Sequence, residues 1–283
     1  MTDPSGPGVE IVPIGAGRGM RYWSRFYSLL GISAVVATIG LNADSGAVVI
    51  AAMLLAPLME PILGIASNLV QGHLGRVVRL LVNTVLAAVG TAALGYVILA
   101  AFRIPSDIEI PAQVLARTSP SLADLVVALV AGIAGSWVQL RRDEAGLLPG
   151  VAIGVSLVPP LSASGMLLYF GQPHLAREAA LLFVTNLAAI VLTAAIVFFA
   201  LGMRPSRRLR GAGLRVSIGV VLAVAGVVVV AVHLTERTLQ HLQQARDERT
   251  VAGGIRQYAG SQSVESHSLA VQGDRVAVWL IYG

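Results

Sequence analysis

Val48-Val49-Ile50-Ala51-Ala52-Met53-Leu54-Leu55-Ala56-Pro57-Leu58-Met59-Glu60-Pro61-Ile62-Leu63-Gly64-Ile65 is the stretch on which the reading of this chain turns. It is apolar enough to lie inside a membrane-spanning helix, yet it carries two prolines and a carboxylate. Proline removes a backbone donor and clashes with the preceding turn, so Pro57 and Pro61 are expected to unwind the helix near mid-membrane. A carboxylate at that depth costs a few kcal/mol or more, which makes Glu60 a functional candidate. About a hundred residues later Ser156-Leu157-Val158-Pro159-Pro160-Leu161-Ser162 repeats the device.

Outward from this stretch the composition sets the class. Of 283 residues, 55% are hydrophobic and 12% charged, and the mean hydropathy is +0.77. Soluble domains carry about twice that share of charge. The chain reads as an all-α polytopic membrane protein in contact with the lipid bilayer. It has no cysteine, so disulfides, thiolate metal sites and cysteine catalysis are excluded. All 20 basic residues are arginine, placed in short loops without interleaved aromatics, which points to membrane topology and not to nucleic acid. No His-Glu-x-x-His, Gly-x-Ser-x-Gly or intramembrane aspartate pair occurs, so no enzyme, metal site or cofactor is expected.

Seven hydrophobic segments approach the roughly 20 residues that cross a bilayer. They run over 22–41, 45–71, 74–102, 122–140, 146–170, 175–203 and 216–234, and the second and fifth contain the proline breaks. Asp44 or Ser45 can cap the second, and Asp124 opens the fourth as an N-cap. The resulting division is a disordered lead-in (1–21), three helices (22–103), a loop (104–121), three more helices (122–203), a basic loop with the seventh helix (204–234) and a small tail (235–283). In the tail a helical pattern through about Tyr258 precedes two alternating strands, Ser263 to Val271 and Val276 to Tyr282, around Gly273-Asp274, giving a small α+β unit. Such a unit is too small for a core of its own, so it packs on a neighbouring subunit or belongs to a larger domain.

The arginines set the orientation. If all seven segments cross, one side collects Arg18, Arg21, Arg25, Arg76, Arg79, Arg141, Arg142 and the run from Arg204 to Arg215, against Arg103, Arg117 and Arg177 on the other. The positive-inside rule then places the N-terminus in the cytoplasm, the protein in the cell membrane and the tail outside. Re-entrant second and fifth segments would reverse four of these arginines and are disfavoured for that reason.

Aligned without gaps, His73 to Ala93 matches His174 to Ala194 at roughly half of its positions, with His73 on His174, Arg76 on Arg177 and Thr84 on Thr185. Asn83 and Asn186 lie two positions out of register, and a one-residue shift sets Pro57 on Pro159. Each unit thus holds a plain helix, a broken helix and a helix with a mid-span Asn/Thr pair. Because three crossings is odd, the second unit enters from the opposite side, a 3+3 inverted repeat of the kind secondary transporters use.

Asn42-Ala43-Asp44-Ser45 with the run Ile50 to Gly64, then Gly150-Val151-Ala152-Ile153 with Leu157-Val158-Pro159-Pro160-Leu161, and finally Leu182-Phe183-Val184-Thr185-Asn186-Leu187, resemble the family known as domain of unknown function 389. The resemblance covers about 28–199 and implies a multi-pass membrane protein without an assigned substrate. Many members carry glycine at the position of Glu60, which implies that any role common to the family lies elsewhere.

These readings converge on a transporter or channel for a small ion or solute, acting as a homo-oligomer. Its expected site residues are Pro57, Glu60, Pro61, Ser156, Pro159, Pro160, Ser162 and Asn186, with Asn83, Thr84 and Thr185 secondary. Glu60 would carry a proton or cation, and one repeat would move against the other. Each feature also has a plainer reading: the prolines as packing kinks, Glu60 as a solvated interface carboxylate, the Asn/Thr pairs as interhelical hydrogen bonds. On those readings the protein is a membrane scaffold or sensor acting through its tail.

Overall fold

A computed structural model describes residues 19–105, 109–119, 121–140 and 157–203, together with the strands 264–272 and 275–282. The lead-in, Ser156 and the first half of the fifth segment, the basic loop, the seventh helix and the helix of the tail lie outside the described residues. The chain forms two compact units, 1–231 and 232–283.

All regular structure described in the first unit is helical. In chain order it comprises α1 (Met20–Asn42), α2 (Gly46–Leu55), α3 (Met59–Gln71), α4 (Leu74–Ala101), the single turn α5 (Ala112–Leu115), α6 (Leu122–Leu140), α7 (Val158–Tyr169) and α8 (Pro173–Ala200). Four of them, α1, α4, α6 and α8, are long and apolar enough to cross a membrane; α2 and α3 pass the same test only together, as a pair bent by 52°, the geometry of a broken span or of a re-entrant loop. α7 alone reaches about 18 Å, short of the roughly 30 Å hydrocarbon core.

The helices are amphipathic in the sense a bilayer demands. α4 turns Val78, Leu81, Val82, Val85, Leu86 and Val89 outward and buries Thr84, Ala87, Thr91 and Gly95. Bulky apolar residues thus face lipid while small and weakly polar ones let neighbouring helices approach. The approach is close: a Cβ at Gly165 of α7 would collide with the backbone of Ala92, one at Gly95 would meet the Ser162 carbonyl at 2.6 Å, and one at Gly132 of α6 would strike Thr193 and Ile190 of α8.

α3 and α7 are enclosed. Every residue from Pro61 to Val70 and from Leu157 to Leu167 is buried, so neither has a lipid-facing side. Each is followed by a glycine in the left-handed conformation, Gly72 or Gly171, and then by a 28-residue helix, α4 or α8. In both turns the residue after the glycine donates its N–H to the carbonyl five residues back, His73 to Asn68 and Gln172 to Leu167. That is the Schellman closure, which needs a residue without Cβ strain at positive φ.

Two caps differ from expectation. Asp44 is used elsewhere: its carboxylate accepts the Gln113 N–H at 2.7 Å, which ties the α1–α2 connection to α5. Ser45 takes the N-cap position of α2 without a side-chain bond. At α6 the N-cap is Ser121, whose Oγ accepts the Asp124 N–H, while the Asp124 carboxylate accepts the Ser121 N–H at 3.0 Å and its Oγ–H at 2.7 Å. Asp124 is therefore the third helical residue of a capping box, because its side chain is long enough to reach back one turn.

The second unit contains an antiparallel hairpin of β1 (Val264–Gln272) and β2 (Arg275–Tyr282), paired from Gln272↔Arg275 outward to Val264↔Tyr282, with an irregularity between Val264 and Ser266.

Candidate functional site

The first break is made by Pro57. The residue before a proline is pushed out of the helical region, and Ala56 is extended (φ −76°, ψ 120°), so α2 ends at Leu55. Pro61 does not break anything: it is the third residue of α3, where the missing N–H is one that a helix leaves unpaired anyway. Pro159 and Pro160 occupy the second and third positions of α7 in the same way. Three of the four prolines therefore start half-helices, and they reduce the number of unpaired donors that starting a helix inside a protein would bury.

Both half-helices start inside the bundle and point away from each other. Gln71, at the end of α3, reaches Met203 just past α8, with 3.5 Å between Nε2 and Sδ. Leu63, Ala66 and Val70 share a cluster with Ala194, Ala195 and Phe198. Since these partners all precede Met203, α3 runs alongside α8 in the same direction. α7 folds back on α8 through the short Phe170–Gln172 connection, and Ser164 Oγ donates to the Ala176 carbonyl at 2.9 Å, so α7 is antiparallel to α8. Carried along α8, these contacts set the start of α3 about level with Val191 and the start of α7 about level with Leu182, about 13 Å apart. Thr185 and Asn186 lie between the two starts. Asn186 prolongs the stripe Ala176–Ala179–Phe183, on which Ala176 and Ala179 pack against Ala163, Met166 and Leu167 of α7. That register sets it just beyond the α7 N-terminus.

These two side chains differ from the others around them. Ten hydroxyl side chains are buried among the described residues. Eight donate to a carbonyl: Thr38, Thr84, Thr91 and Ser136 to the one four residues back, Ser67 and Thr118 three back, and Ser33 and Ser164 to a neighbouring helix. The remaining two are Ser162 and Thr185, which have no partner among the described residues, and neither does Asn186 Oδ1. Thr185 is 2% exposed and Asn186 5%. Leaving a buried polar group unpaired costs about 1–3 kcal/mol, so such groups call for an explanation.

The other sequence candidates lie elsewhere. Glu60, half-buried in the first turn of α3, accepts a hydrogen bond from the Tyr22 hydroxyl of α1 at 3.1 Å, which turns it toward α1. Asn83 accepts from Tyr27 of α1 at 3.4 Å, and Thr84 closes on Leu80. Ser162 lies one turn into α7, beside Gly95 of α4. The sequence reading missed Ser67 and Asn68, which sit on the enclosed α3 and bond back to the Gly64 carbonyl at 3.1 and 2.8 Å. An Asn inside the otherwise apolar run Ile62 to Val70 was the available signal. It also passed over Tyr22 as anything more than an interface aromatic.

Of the imidazoles, His73 caps the turn between α3 and α4, and its pKa is lowered by burial and by the neighbouring Arg76.

Residues 53–192 match the family described as domain of unknown function (DUF389). They place the chain in that family. An uncharacterised protein of Methanocaldococcus jannaschii is 28% identical over 179 residues, 63% of this chain and 55% of the relative. The match therefore spans little more than half the relative's length. No solved structure matches. The DUF389 match runs from Met53, ahead of the Pro57 break, to Leu192, past Asn186, and so contains both half-helices and the polar pair between them.

Proposed function

We propose that this DUF389 protein is a membrane transporter or channel for a small ion or solute, with its site where α3 and α7 begin. One observation carries the reading: two half-helices, enclosed over Pro61–Val70 and Leu157–Leu167, start inside the bundle in opposite directions, and the unpartnered Thr185 hydroxyl and Asn186 Oδ1 lie at heights along α8 between their starts. A purely structural core gains nothing from this arrangement. Continuous helices would satisfy their own backbone, and Leu at 185 and 186 would avoid the cost of unpaired polar groups. Discontinuous helices whose ends meet a substrate near the midplane are how many secondary transporters build a site.

The correspondence of α3–Gly72–α4 with α7–Gly171–α8 supports a 3+3 inverted repeat, since the two half-helices leave the centre in opposite directions. It also changes the motion to be expected. α7, from the second repeat, interlocks with α4 of the first through Gly95 and Gly165, while α3 lies along α8. Wholesale rocking of one repeat against the other would tear both contacts.

The test is flux. The purified full-length protein in liposomes would be screened with ion gradients and pH-sensitive dyes, with Gly165→Leu as a variant that breaks the α4–α7 contact. The expected result is a gradient-driven, saturable flux that Gly165→Leu abolishes. Folded protein that moves nothing across a broad panel would point instead to the scaffold reading.

A further inference from the structure

We infer that α5 is a strap that seals the end of the bundle at which α1, α4 and α7 stop and α8 begins, and that it lifts when the transport site opens toward that end. This rests on the transport reading above and names how access to that site is regulated. α5 belongs to no membrane span: it is a single turn within the connection from α4 to α6. Connections of this length with so little regular structure are uncommon in a compact domain and often serve as lids. This one turns Val114 inward until none of its surface is exposed. Val114 sits in one apolar cluster with Leu41 from the end of α1, Leu99 from the end of α4, Met166 and Phe170 from the end of α7, and Ala176 from the start of α8. A short turn outside the membrane spans thus completes a cluster to which four helix ends contribute.

What holds α5 is slight compared with what it closes. Val114 is its only buried residue, while Ala112 and Leu115 are exposed. Among the described residues, its one hydrogen bond to another part of the bundle runs from the Gln113 N–H to the Asp44 carboxylate at 2.7 Å, and that bond is itself exposed. Ile104 and Ile110 pack half-buried on the same cluster, and the Ile104 carbonyl accepts from the Tyr169 hydroxyl at 2.6 Å. The strap is therefore anchored beside the end of α4 and latched at Asp44. Segments held by few buried contacts and by exposed hydrogen bonds open locally while the core stays folded. With Val114 seated, the cluster is an apolar plug of the kind that shuts a pore by excluding water. Withdrawing Val114 opens the cluster to water from that end.

The experiment uses the full-length protein, which has no native cysteine. Val114→Cys is treated in open membrane fragments with a small water-soluble thiol reagent, alone and combined with Asp44→Gly or Asp44→Asn, each protein being shown to be folded by its thermal transition. Asp44 is left-handed (φ 51°), a conformation that glycine and asparagine both adopt readily. In liposomes, Gly46→Cys and Gln113→Cys are joined by a short bifunctional thiol reagent that a reductant removes; a Cβ at Gly46 would lie 3.6 Å from Gln113 Nε2, so the link makes the latch permanent. Flux is measured before joining, after it and after reduction. The expected result is slow labelling of Val114→Cys, about fivefold faster with Asp44→Gly, the factor an ordinary hydrogen bond is worth, and close to the original rate with Asp44→Asn, which keeps an acceptor. Flux stops on joining and returns on reduction. Flux that persists through the link overturns the gate and leaves transport standing. Val114→Cys that stays unreactive in all three folded proteins shows a fixed plug and overturns the gate as well. Protein that moves nothing before the link is made removes the transport reading, and the gate with it.

Discussion

Pro61 shows how much the meaning of a residue depends on its position within a helix. From sequence, Pro57 and Pro61 read as a pair of breakers; in the structure only Pro57 breaks, and Pro61 starts the next helix. The difference could not be read from residue type, because a proline is disruptive in a helix interior and harmless in its first turn, and the boundary between the two is set by where the chain turns. Glu60 is a similar case. Its depth in the sequence marks it as costly, but nothing in the sequence places Tyr22 beside it. Two predictions belong at this scale. Ser121→Ala removes the N-cap of α6 and should lower stability by about 1 kcal/mol, read from thermal unfolding, with Asp124→Ala giving a comparable loss and the double variant less than the sum. The lowered pKa of His73 means that the folded protein binds its proton less readily than the unfolded chain. Stability should therefore be insensitive to pH above the ordinary histidine value of 6.5 and fall as pH drops below it toward the lowered value of the folded state. His73→Gln should flatten that part of the unfolding profile.

At the scale of elements the sequence is most informative for the long helices. Predicted spans at 74–102 and 122–140 correspond to α4 (Leu74–Ala101) and α6 (Leu122–Leu140) because unbroken apolar runs leave a membrane helix little choice of length. The break within 45–71 is legible through Pro57. What the sequence does not show is that α3 and α7 are the enclosed elements, since their apolar residues look the same whether they face lipid or protein. Their partners are recorded instead in small residues, Gly95, Gly132 and Gly165, whose importance depends on what they face. Gly165→Leu would force the leucine side chain into the backbone of Ala92. It should cost at least about 1–3 kcal/mol and separate α4 from α7. The same substitution at Gly90, which has no neighbour within 4 Å, should be nearly neutral. Unfolding of the two variants under identical detergent conditions compares them directly.

Over the whole molecule, the class was legible from composition, whereas the candidate site was legible only in part. Asn186 stands in a motif visible in the sequence, while Thr185, ranked behind Glu60 on sequence, takes the larger part in the proposed site. The reason is physical: a charge announces itself in a sequence, while the Thr185 hydroxyl stands out only because it lacks the partner that eight of the ten buried hydroxyls among the described residues have found. The absence of cysteine offers a direct test of the central claim, that Thr185 and Asn186 line a polar site reached from water. Single cysteines at Thr185 and at Val184, which is 52% exposed on the outer face of α8, would be treated in membranes with a small water-soluble thiol reagent. Such reagents attack the thiolate, which forms in contact with water and not in lipid. The expected result is that Thr185→Cys is modified and Val184→Cys is not; a Thr185→Cys protein that is folded and as unreactive as Val184→Cys would contradict the account.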